Sequence, residues 1–91
     1  MRSRFAAYAR GDAVYLARSW HASTRPDELH LDAGIRWFRL TILRTALGGP
    51  ADEEGVVEFD AAFRHAGARG SQHEESRFVR QGGMWVYLDA V

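Results

Sequence analysis

The sequence predicts an α+β domain in which two short N-terminal helices lie on an antiparallel sheet. Three observations carry that prediction. Apolar residues recur at helical spacing between Met1 and Thr24, and from Trp37 onward they recur at a period of two. Clusters rich in glycine separate the alternating runs, as hairpin turns require.

In the first helix Phe5, Tyr8 and Ala9 fall on one stripe. Gly11 suits the left-handed residue that ends a helix, and Asp12 suits the N-cap of the next one. Ala13, Leu16, Ala17 and Trp20 then share a face, with Arg18 and Ser19 turned away, and Pro26 closes the segment. Between Arg25 and Gly34, Leu29 and Leu31 have the spacing of a short extended piece that plugs the edge of the core. Phe38, Leu40 and Ile42 alternate with Trp37, Arg39 and Thr41, which predicts a first strand with the former set on the core. Gly48-Gly49-Pro50 is a turn. Val57, Phe59, Ala61 and Phe63 alternate with Glu58, Asp60 and Arg64 in a second strand. Ala66 to Gly70 turns the chain, residues 71–80 form a polar third strand, Gln81-Gly82-Gly83 is a hairpin loop, and Met84 to Ala90 is the last strand. The open face is expected to carry Arg39, Glu58, Asp60 and Arg64, with Glu75 and Arg77 near by, as a ladder of opposite charges.

Ninety-one residues make one domain, spanning 1–91. Eleven aromatic residues, three of them Trp, supply large buried areas for a small core. Twelve Arg balance twelve acidic residues, so no global field attracts nucleic acid or an anionic membrane. The absence of Cys excludes disulfides and thiolate metal sites within the chain, and no cofactor is implied. No apolar run is long enough for a membrane span or a signal peptide, so a cytoplasmic location is expected.

Four His lack any metal-ligand spacing, and alternation sends His73 and Glu74 to opposite faces. No phosphate-binding glycine loop and no nucleophile elbow are present. The residues that bear chemistry are the polar groups beside aromatics: Trp20 and His21, Glu75 and Arg77, and Trp85, Tyr87 and Asp89. Gathered under the helices, they would line a cavity with an imidazole, carboxylates and a guanidinium. The competing reading pairs Arg77 with Glu75 or Asp89 as a structural ion pair and leaves the aromatics to the core. Parity does not choose between them, because the Gln81–Gly83 loop permits more than one register.

The stretches MRSRFAAYARGDAVYLARSWHASTRP, IRWFRL, HEESRF and GGMWVYLDA resemble the YchJ-type family of uncharacterised bacterial proteins, from Met1 to about Ala90. The matching motif positions include Arg4, Trp20, His21, Ser76, Arg77, Phe78, Trp85, Tyr87 and Asp89. The resemblance implies a fold of the nuclear transport factor 2-like class, a curved antiparallel sheet wrapped on helices to form a cone with a cavity. Family members usually carry Cys-rich zinc-binding segments, of the SEC-C kind, flanking this region. Either such arms are lost here, or Met1 is internal to a longer chain; zinc binding does not carry over.

The leading expectation is a non-catalytic module that binds a small ligand or a protein partner, with Trp20, His21, Trp85 and Tyr87 as cavity residues and Arg77 as an anchor for an anionic group. The alternative is a small lyase- or isomerase-like enzyme with Asp89 or Glu75 as base and His21 or Tyr87 as acid. A homodimer through the open sheet face is a further expectation.

Overall fold

A computed structural model describes residues 1–91. The elements run α1 (Arg2–Arg10), α2 (Ala13–Arg18), β1 (Ile35–Leu47), β2 (Glu54–His65), β3 (Ala68–Gln81) and β4 (Met84–Ala90). The strands form one antiparallel sheet in the order β1-β2-β3-β4, a simple meander. No helix is long and apolar enough to cross a membrane.

The helical corner forms as its residues dictate. Gly11 takes φ 71° and its backbone N–H closes on α1 carbonyls, while the Asp12 carboxylate accepts from Tyr15 N at 3.0 Å. Leu16 and Ala7 are fully buried beneath the corner. The buried positions of α1 are Arg4 and Ala7, so Ala9, expected on the stripe, is exposed. Helix α2 ends before Trp20. Trp20 instead makes a parallel bridge to Tyr87: Tyr87 N donates to Ser19 O at 2.8 Å, and His21 N donates to Tyr87 O at 2.7 Å. This short addition covers the free edge of β4. Residues 25–34 form no strand; Leu29 and Leu31 are half-buried in an irregular connection.

Two of the hairpins have the tightest loops. Ala66 and Gly67 both have positive φ, as do Gly82 and Gly83, which suits the twist of a two-residue hairpin. The first of these turns is shorter than expected, so β3 begins at Ala68.

β2 alternates as expected, with Phe59 and Ala61 buried. β1 does not. A bulge between Trp37 and Arg39 makes Phe38 an extra residue, and a second makes Leu43 another. Trp37 therefore faces the helices, 6.2 Å from Tyr8 and 5.1 Å from Phe63 between ring centroids, while Phe38 is turned out and 44% exposed. Leu40 and Ile42 recover the core phase after the first bulge.

Candidate functional site

The helices and the Trp20 segment roof one face of the sheet and leave a cavity of about 140 Å³. Phe5 and Tyr8 from α1, Trp20, Trp37 from β1 and Phe59 from β2 supply its aromatic walls. Its polar groups are Arg4, Gln72, Glu74, Ser76 and Tyr87. β3 contributes three of these because Gln72, Glu74 and Ser76 stand opposite Ala61, Phe59 and Val57, on the core side of β2.

Arg4 is 4% exposed, an uncommon place for a guanidinium. Its Nη1 donates to Leu16 O at 3.0 Å and to Ser19 Oγ at 2.7 Å, tying α1 to the end of α2. Its carbon centre lies 5.0 Å from the Trp20 ring and 4.8 Å from the Tyr87 ring, both within cation–π range. It forms no ion pair with a carboxylate. Burial pulls its pKa down, opposed chiefly by the nearby phenols of Tyr8 and Tyr87.

Glu74 lies at the hydroxyl end of Tyr87. Tyr87 Oη donates to Glu74 Oε2 at 3.4 Å, and Ser76 Oγ donates to the same oxygen. Ser76 is fully buried. Burial, then the charge of Glu74, pushes the Tyr87 phenol up to about 12. The Tyr87 ring meets Trp20 edge-on at 5.0 Å. Trp20 Nε1 is buried and has no acceptor, which costs on the order of 1–3 kcal/mol.

The residues expected from sequence to share one cavity are divided. Trp20 and Tyr87 line it. His21 is held outside, its Nδ1 2.7 Å from Ser23 Oγ. Trp85 belongs to a separate groove with Phe78 and the β1–β2 turn, and the Arg80 guanidinium stacks 4.4 Å from its ring.

Glu75, Arg77 and Asp89 are on the opposite face. Arg77 donates to Asp89 from Nε at 2.9 Å and from Nη2 at 2.7 Å, while Glu75 pairs with Arg44. The physical reason is a bulge. Arg77 opposes Asp89 but Phe78 opposes Tyr87, so Leu88 is an extra residue and Tyr87 and Asp89 have opposite orientations. Arg77 is thus no anchor for a cavity anion, and neither Asp89 nor Glu75 can work with Tyr87 on one substrate position.

The ion-pair reading of Arg77 is the observed one. Hydrogen bonds from Arg77 hold the Asp89 carboxyl below its usual range. A hydrogen bond with His73 does the same for Glu58, which also pairs with Arg44.

Arg4, Glu74 and Ser76 line the cavity but fall outside the set that the sequence predicts for it. In the sequence Arg4 and Ser76 are marked only as motif positions, and the one signal for Glu74 is its parity with Ser76 and Phe78. No group of three or more His, Cys, Asp or Glu side chains is placed to hold a metal ion.

A helix-roofed antiparallel sheet with an aromatic cavity defines a domain of the nuclear transport factor 2-like class. Within that class, the chain belongs to the family described as YchJ, middle NTF2-like domain, whose sequence model matches residues 1–90. It is 52% identical over 89 residues to a UPF0225 protein of Streptomyces coelicolor, covering 98% of this chain and 68% of that protein. It is 47% identical over 94 residues to a UPF0225 protein of Chromobacterium violaceum, covering 100% of this chain and 70% of that one.

Among solved structures it is similar to a SEC-C motif containing protein from Rhodopseudomonas palustris, determined in solution. The TM-score is 0.83 at 32% identity, over 100% of this chain and 73% of the other. That motif is a property of the neighbour. The present chain, without a cysteine, offers no thiolates to such a segment.

Proposed function

We propose that the domain is a non-catalytic binding module whose ligand is a small molecule held between the helices and the sheet. The observation that carries this reading is the cavity itself: about 140 Å³, walled by aromatic rings, with Glu74, Ser76 and Tyr87 grouped on one side. An apolar chamber with a few convergent polar groups is the general form of a small-molecule site. Its volume is near the roughly 150 Å³ of an engineered protein cavity that admits benzene, so the ligand is about the size of one ring.

An enzymatic reading would use Glu74 and Tyr87, 3.4 Å apart in the same cavity, as base and acid. The other groups that could act as acid or base, His21, Glu75 and Asp89, are engaged outside the cavity, so Glu74 and Tyr87 have no third group to work with. The non-catalytic reading is preferred on this ground.

Native mass spectrometry of the protein purified from its source organism tests the proposal. A small added mass that leaves on activation, and that Glu74→Ala diminishes, is the expected result. Retention of the same mass after Glu74→Ala and Trp37→Ala together would place the ligand elsewhere. A cytoplasmic location belongs to the same proposal and is checked by fractionating the source cells. Self-association through the open sheet face is a separate proposal, checked by sedimentation.

A further inference from the structure

The cavity contains one buried cation and one carboxylate that do not pair with each other. Arg4 and Glu74 bracket Tyr87, the guanidinium over the ring face and the carboxylate at the hydroxyl. The hydrogen bonds of Arg4 to Leu16 and Ser19 both leave from Nη1, the Tyr8 phenol lies beside the same guanidinium, and no carboxylate pairs with it. Trp20, whose ring lies against the same guanidinium, has a buried indole N–H with no acceptor at all. That N–H is sealed between side chains, so Arg4 is the charged donor at this end of the cavity.

The other end is the reverse. Ser76 and Tyr87 both donate to Oε2 of Glu74, and Oε1 accepts from no side chain. A buried ion without a partner is costly, and so is a buried donor without an acceptor. A ligand with a single charge would engage Arg4 or the half-buried Glu74, and leave the other without a partner from the ligand. A ligand with an acceptor at one end and a donor at the other satisfies both.

From this arrangement, and resting on the small-ligand reading above, we propose the class of the ligand. It is a ring-sized amphoteric molecule with a carboxylate or comparable acceptor toward Arg4, and a hydroxyl or amine donor toward Glu74. The aromatic walls contributed by Phe5, Trp37 and Phe59 receive the apolar body between the two polar ends.

Three probes built on one ring test the proposal in calorimetric or NMR titrations: benzoate, which has the acceptor only; phenol, which has the donor only; and para-hydroxybenzoate, which has both. The expected result is that para-hydroxybenzoate binds at least about tenfold more tightly than either of the others. Glu74→Ala is expected to remove the advantage of para-hydroxybenzoate over benzoate, bringing the two affinities together. Because Arg4→Ala removes a buried staple, Arg4→Lys is the variant for the other end, and it is expected to weaken both carboxylates and spare phenol.

If phenol or benzoate binds as tightly as para-hydroxybenzoate, the amphoteric class is overturned and the cavity remains a ligand site. If none of the three binds, or if all bind equally well to a Trp37→Ala, Glu74→Ala double variant, the small-ligand reading fails as well.

Discussion

The two faces of the sheet are built from alternate residues of the same strands, yet they handle charge in opposite ways. On the open face Arg44 meets Glu58 and Glu75, His73 meets Glu58, and Arg77 meets Asp89, each pair within reach of solvent. On the covered face Arg4 is buried and Glu74 half-buried in the lining of an aromatic cavity, and the two form no ion pair. Exposed pairs of this kind add little to stability, because water already solvates both members. A buried cation with no carboxylate partner, as Arg4 is, costs stability instead. The neighbours Glu74 and Glu75 make the contrast within two residues: one accepts from Ser76 and Tyr87 in the cavity lining, and the other pairs with Arg44 on the exterior.

The open face also has an unpaired region of its own. Arg36, Arg64 and Arg69 lie directly opposite one another on β1, β2 and β3. Arg39, Arg64 and Arg69 each stand 5.9 Å from the exposed ring of Phe38. The bulge that puts Phe38 outside gives these like charges a ring face to share. Of the acid–base ladder expected there, Glu58, Glu75 and Arg77 are in ion pairs, whereas Arg39, Asp60 and Arg64 are not.

The largest effect that would test this contrast comes from adjacent residues. Trp37→Ala removes a ring packed between Tyr8 and Phe63 and is expected to cost about 3 kcal/mol in urea unfolding. Phe38→Ala, one residue along, is expected to cost less than about 0.5 kcal/mol. Equal losses would mean that the bulge is misplaced. Arg4→Ala should come next, at about 2 kcal/mol, since it breaks both bonds to the end of α2 and leaves the Leu16 carbonyl and Ser19 hydroxyl without their cation.

A pH effect follows in size. The Tyr87 phenol titrates higher in the folded chain, at about 12, than its ordinary 10.0. Between those values the folded state holds a proton that the unfolded state has released, so stability falls as pH rises from about 10 to 12. Tyr87→Phe should remove this part of the alkaline loss. A variant whose stability falls just as steeply over that range would contradict the assignment. The smallest effect is on the open face. Asp89 is held below its ordinary range, so its contribution is present at neutral pH and is lost as acid protonates it in the folded state. Arg77→Ala should lower the melting temperature only slightly, and raised salt should shrink the difference.

Much of this fold is legible in the sequence, for reasons that are local. Gly11 and Asp12 fix the helical corner, the glycines fix two turns, and Val57 to Phe63 fix the phase of β2, because each acts through its own backbone or its immediate alternation. The site is less legible because its phase is set by bulges. An extra residue at Phe38, Leu43 or Leu88 leaves no mark on composition, yet it reverses every side chain beyond it. That reversal put Trp37 in the cavity and sent Asp89 out of it. Arg4 was hidden for another reason: a charged residue in a first helical turn reads as surface, and only the Trp20–Tyr87 bridge makes a ring-lined slot for it. Glu74 and Ser76 follow from β3 parity once its register is known.

The three tryptophans give the most direct measurement of whether the covered face is a ligand site. Trp20 and Trp37 line the cavity, and Trp85 lies in the separate groove. In a proton–nitrogen correlation spectrum the indole N–H signals of these residues can be followed while para-hydroxybenzoate is added. The expected result is a saturable shift of the Trp20 and Trp37 signals with Trp85 unmoved. A shift confined to Trp85, or equal small drifts of all three, would contradict a ligand site between the helices and the sheet.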